Sequence, residues 1–218
     1  MTVLVEKDGL AFERLTERSF DECIELMASV FSVGEPMTAL MGVTEDEFRF
    51  FATIFTRKAL NEGLPIVARD TQTGALVGFS ISEDLGNPEP EEAAHISAKF
   101  GPIVGLLDQL VAHFCQSHVL APGKYVHVFM VGVKPGFKKR SVAFEMMAEN
   151  MELAKKLGYE AAIGETTSEA SARLTEKVGF REVYKINYSE FEFEDRKVFA
   201  GLNEACCRLM VRYFSEES

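Results

Sequence analysis

Hydrophobic and polar positions follow two rhythms along the chain, and the switches between them mark the elements. Residues 3–14 alternate around Asp8-Gly9 and predict a strand, or two short strands joined by a turn. Over residues 17–32 the apolar positions Cys23, Leu26, Met27, Val30 and Phe31 recur at helical spacing. Thr16 or Ser19 can cap this helix, and Asp21 and Glu22 suit its first turn. Gly34-Glu35-Pro36 breaks the pattern. Thr44 opens a second helix with Glu47 as its capping-box partner, and Gly63 ends it. Phe48, Phe51, Ile54, Phe55 and Leu60 form one stripe on that helix, read as core. Residues 64–69 and 75–82 are short apolar runs flanking Asp70–Gly74, the pattern of a hairpin. The acidic stretch 83–92, broken by Gly86, Pro88 and Pro90, reads as a loop. A helix is expected over 102–118, with Cys115 packed inside. The stretch 83–102 and this helix form either a lid or a surface insertion.

The second half alternates more regularly. A β-rich run covers 124–134, a helix about 140–157, a strand 159–165 and a helix 168–178, followed by strands 180–188 and 206–214. Strands interleaved with helices predict an α/β protein with a mixed central sheet of about seven strands and some parallel neighbours. At 218 residues the chain suits one domain, residues 1–218, with a core large enough to need no staple.

Composition narrows the chemistry. With 23 basic and 34 acidic residues the net charge is −11, opposite to the basic balance of a general nucleic-acid or anionic-membrane binder. No apolar run approaches the ~18 residues that span a bilayer, and the N-terminus lacks signal-peptide character. Cys23, Cys115, Cys206 and Cys207 show no metal-ligand spacing, so no metal is expected and a reducing, cytoplasmic setting is the simplest. One segment departs from the acidic background. Lys134, Lys138, Lys139 and Arg140 follow an apolar strand and precede a helix. A helix N-terminus with unpaired N–H groups and added cations is suited to phosphate or pyrophosphate.

The run Val133-Lys134-Pro135-Gly136-Phe137-Lys138-Lys139-Arg140-Ser141-Val142-Ala143 resembles the V-x-P-x-x-[QR]-x-x-G-x-[GA] motif of the Gcn5-related N-acetyltransferase (GNAT) superfamily. Lys138 stands where Gln or Arg is usual, and Ser141 where Gly is usual. Residues 168–180, SEASARLTEKVGF, resemble the superfamily's later segment through Leu174, Lys177, Gly179 and Phe180. There Ser168 replaces an Asn, and Thr175 replaces the Tyr that protonates the departing thiolate. Phe31, Glu35-Pro36-Met37 and Ser171-Ala172-Arg173-Leu174 resemble the arylalkylamine N-acetyltransferase branch.

The resemblance implies the GNAT fold, acetyl-CoA as co-substrate and transfer of an acetyl group to a primary amine of a small molecule. It implies cofactor contacts at Val131, Gly132, Val133, Lys138, Lys139, Arg140, Ser141, Val142, Ala143 and Ser168, and it makes a homodimer plausible. An alkylamine is protonated near neutral pH, so a base must take its proton before attack. Glu35 is the first candidate, His127 the second and Glu165 the third. Thr167 and Ser171 fill the branch's assisting hydroxyl positions, and Ser171, Tyr184 or Tyr188 would have to replace the missing thiolate donor. The alternatives are a protein or peptide N-acetyltransferase and a non-catalytic acyl-CoA sensor, the latter motivated by Ser141 and Thr175.

Overall fold

The computed structural model describes residues 3–137 and 141–216. Eight strands form one sheet in the order β1-β2-β3-β4-β5-β6-β8-β7. They are β1 (Val3–Lys7), β2 (Leu10–Arg14), β3 (Ile66–Asp70), β4 (Leu76–Asp84), β5 (Tyr125–Val133), β6 (Ala161–Thr166), β7 (Arg181–Asn187) and β8 (Cys206–Tyr213). The eighth strand arises because 3–14 is a hairpin. Asp8 and Gly9 both take positive φ, 53° and 74°, the requirement of a two-residue turn matched to strand twist. All neighbours are antiparallel except β5 and β6.

Six helices cover the sheet: α1 (Phe20–Gly34), α2 (Pro36–Leu40), α3 (Glu45–Glu62), α4 (Gly101–Cys115), α5 (Val142–Lys156) and α6 (Glu169–Lys177). The break expected at Gly34-Glu35-Pro36 is a junction between two helices, because Pro36 sits at the first helical position, where its missing N–H costs nothing. Helix α3 has the expected Thr44–Glu47 capping box and ends at Gly63 in the left-handed region (φ 71°).

The core is divided by the sheet. On one face α5 lays Val142, Met146, Met147, Met151 and Ala154 against alternate residues of β2 to β6, with α6 beside it. On the other, α1, α3 and α4 bury the aromatic stripe. Phe100 stacks on Phe51 at 4.4 Å and fixes the start of α4 to α3, so this segment is anchored in the core. Strand β4 runs two residues past its expected end. Glu83 and Asp84 are buried within it, and Asp84 accepts the Gly86 and Gly123 N–H groups at 2.9 and 2.6 Å. Cys115 corrects the expectation of burial, since it is exposed at the end of α4. All four cysteines are unbridged.

Candidate active site

Strands β5 and β6 part midway. Their parallel pairing runs from Tyr125↔Ala161 to His127↔Ile163 and stops there. Beyond it β5 stays with β4 while β6 continues with β8 to Thr166↔Arg208. A bulge lies at the divergence. Ile81 faces Met130 but Ser82 faces Val128, so Phe129 is the extra residue, and Phe129 and Met130 both pack on the aromatic face. Beyond the bulge, main-chain direction follows from one bond. Lys134 N–H donates to Val77 C=O at 2.8 Å, so by alternation Gly132 also faces β4. The N–H and C=O groups of Val131 and Val133 therefore point to the side from which β6 has departed.

The strand then leads through the 3-10 turn Pro135–Phe137 to α5. Ser141 takes φ 55°, ψ 18°, the left-handed conformation that the usual Gly adopts without strain. A side chain there costs about 1–2 kcal/mol. Glu145 N–H is bonded to Ser141 C=O, which leaves the Val142, Ala143 and Phe144 N–H groups at the helix start, ahead of the in-helix ladder. The Val142 side chain itself is core. At Gly132 a Cβ would lie 2.2 Å from the Phe79 ring, so packing of Phe79 forbids a side chain there. Lys138, Lys139 and Arg140 lie outside the described residues. An open strand edge, followed by a strained turn and helix-start N–H groups without a partner among the described residues, fits an extended amide-bearing arm ending in a pyrophosphate. Acetyl-CoA has that form.

The aromatic face carries the titratable groups. Glu35 caps α2, accepting Met37 and Thr38 N–H at 3.1 and 2.6 Å. Its charge, after burial and Cys207, helps push up the Tyr188 phenol. Tyr188 is buried and donates to Thr167 C=O at 2.9 Å. Ser168 caps α6 by accepting Ser171 N–H, and the two hydroxyls lie 3.0 Å apart. Thr175 is buried and donates to Ala172 C=O at 2.8 Å, inside its own helix. Tyr184 is exposed on β7 and stacks on His113.

His127 sits between two acids. Its Nδ1 is 3.2 Å from Glu83 Oε1 and its Nε2 2.8 Å from Glu165 Oε2. Lys58 reaches Glu83 Oε2 at 3.1 Å. Burial opposes the charge on His127, but Glu165 and Glu83 outweigh it and raise its pKa to about 10. Glu83 is likewise held below its ordinary range by His127 and Lys58, against burial. An imidazolium with both ring nitrogens engaged has no lone pair for an incoming proton. That geometry speaks against His127 as the base.

Lys58, Glu83 and Asp108 were not anticipated from sequence. The available signal was Glu83 and Asp84 directly after an apolar strand run, since a buried acid requires a cationic or N–H partner.

The acetyltransferase (GNAT) family model matches residues 40–180, and the chain belongs to that family of enzymes. Several solved structures share its fold. The C-terminal condensation domain of Ebony, in complex with beta-alanyl-dopamine, aligns with a TM-score of 0.84 at 16% identity, covering 94% of this chain and 98% of that one. A mosquito arylalkylamine N-acetyltransferase-like 5b protein gives 0.79 at 24% identity, over 94% and 100%. The Drosophila melanogaster polyamine N-acetyltransferase, which forms N-acetylagmatine, gives 0.74 at 16%, over 94% and 100%. No curated protein matches by sequence. Among the described residues, no helix is long and apolar enough to cross a membrane.

Proposed function

We propose that this enzyme transfers an acetyl group from acetyl-CoA to the primary amine of a small molecule, by direct attack in a ternary complex. The observation that carries the reading is the parting of β5 and β6. It leaves the Val131 and Val133 backbone open on one side of the sheet gap, with Glu35 and Glu165 on the aromatic face beside it. The names of the arylalkylamine and polyamine acetyltransferases that share the fold agree with a small amine.

Acetyl-CoA, when bound, supplies the acetyl thioester. The Val131 and Val133 main chain is positioned to pair with its amide-bearing arm, and the turn at Ser141 with the α5 N–H groups to hold its pyrophosphate. Preorganised N–H donors at the bulge can also stabilise negative charge on a reacting carbonyl oxygen. Glu35 takes the ammonium proton. Each of its carboxylate oxygens has a second lone pair beyond the one used in capping α2. Thr175 is committed to its own helix, which leaves Tyr188, a phenol within the field of Glu35, to return a proton to the thiolate.

Free-thiol release from acetyl-CoA, followed across a panel of small primary amines and lysine peptides, tests the reading. Release with small amines and not with peptides is expected. Release with peptides alone would make it a protein acetyltransferase. A thermal shift with acetyl-CoA but no turnover would make it a sensor, and no shift with any acyl-CoA would remove the cofactor assignment.

A further inference from the structure

One carboxylate oxygen on the aromatic face has no partner. Glu165 gives Oε2 to His127, but Oε1 is buried and makes no hydrogen bond, with the side chain only 4% exposed. A buried polar group left this way is costly, and more so when charged. The position is specific. Continuing the parallel register from His127↔Ile163 would set Glu165 level with Phe129, so it stands at the bulge where the strands part. Asp108 stands on the outer side of α4, where partial desolvation and then the Glu165 charge raise its carboxyl. Burial, with the charges of Glu165 and Glu35, pushes the Cys207 thiol well up, so both carboxylates act on the same buried group.

We propose that Glu165, supported by Asp108, is a subsite for a second, permanently cationic group on the acceptor, so that the preferred substrates are diamines or guanidino-amines. This rests on the acetyl-transfer reading above. The reacting nitrogen must become neutral before it attacks, so it cannot stay paired with two carboxylates. Glu35 serves that nitrogen. A distal ammonium or guanidinium keeps its charge throughout and supplies the N–H that Oε1 lacks. His127, fixed by Glu83 and Lys58, holds the Glu165 carboxylate in place, so His127 is a positioning residue. A guanidinium can also reach Asp108 with a second N–H.

The test compares kcat/KM for agmatine and putrescine with that for butylamine and tyramine, in the wild type, Glu165→Gln and Asp108→Asn. Wild type should favour the dications by roughly 10–100-fold, what one hydrogen bond to a charged group is worth. Glu165→Gln should collapse that ratio to within about threefold, through KM for the dications. Asp108→Asn, at an exposed position that tolerates change, should lower the ratio by about threefold to tenfold. Turnover of monoamines by the wild type with no dication preference overturns the subsite and leaves acetyl transfer standing. An unchanged ratio in both variants also overturns it. No thiol release with any amine overturns the acetyl-transfer reading and the subsite with it.

Discussion

The two faces of the sheet solve different problems with different materials. Beneath α5 the surface is aliphatic residues and methionine with a few phenylalanines, without a buried ion pair among the described residues of that cluster. Its apparatus for a ligand is backbone: a strand edge, a left-handed turn and a helix start. The opposite face packs phenylalanines around a chain of charges, Lys58–Glu83–His127–Glu165. Under the proposed function, the contrast follows from what each side would recognise. A thioester arm with a pyrophosphate presents amides and anionic oxygens, which main-chain N–H groups satisfy at little cost. An amine presents a cation and a proton to remove, which require carboxylates. Carboxylates inside a sheet core must be neutralised by something, and His127 and Lys58 do so here.

Each face can be perturbed separately. The largest effect is expected from Glu35→Gln. Gln keeps one of the two acceptors that cap α2 but cannot take a proton, so kcat should fall by roughly 10²–10⁴ and its acid limb should move. An unchanged kcat and pH profile would put the base elsewhere on the acidic face.

His127→Gln should cost about 3–5 kcal/mol in denaturant unfolding, the range for a buried pair that loses one partner. The same residue gives a pH signature. Its folded pKa, about 10, lies above the unfolded value near 6.5. Its contribution is therefore complete below about pH 6.5 and is lost as pH rises through about 10. Melting temperatures from pH 7 to 10.5 should fall more steeply for wild type than for His127→Gln. Parallel curves would show that His127 carries no such charge.

Ser141→Gly is the smallest change and acts on the other face. Relieving the left-handed strain, about 1–2 kcal/mol, should stabilise the protein or tighten acetyl-CoA binding by roughly tenfold, measured by calorimetry. Loss of affinity would mean that the Ser141 hydroxyl is a ligand contact worth more than the strain.

Much of this was legible in the chain. Helix α3 could be drawn residue by residue because capping box, stripe and terminal Gly are all local. The turn at Ser141 was readable for the same reason, since a motif that calls for Gly marks a backbone conformation. Glu35 and Ser171 stood out as residue types in a pattern, but what they bond to did not. Glu35 proved to be the cap of α2, and Ser171 part of the α6 cap. Cys115 was misjudged because helical spacing places a residue on a face without saying where the helix leaves the core.

The sequence alone determined most of the order of elements, the family and the strand–turn–helix from Val133 to Ala143. These depend on near neighbours, where spacing fixes direction. Tertiary structure decided the rest: where β5 and β6 separate, that His127 is shared by Glu83 and Glu165, and that Glu165 keeps an oxygen without a partner. Glu83 and Glu165 lie 44 and 38 positions from His127. Nothing local sets the pairing of strands so far apart, and a charge's protonation depends on which other charges the fold brings to it.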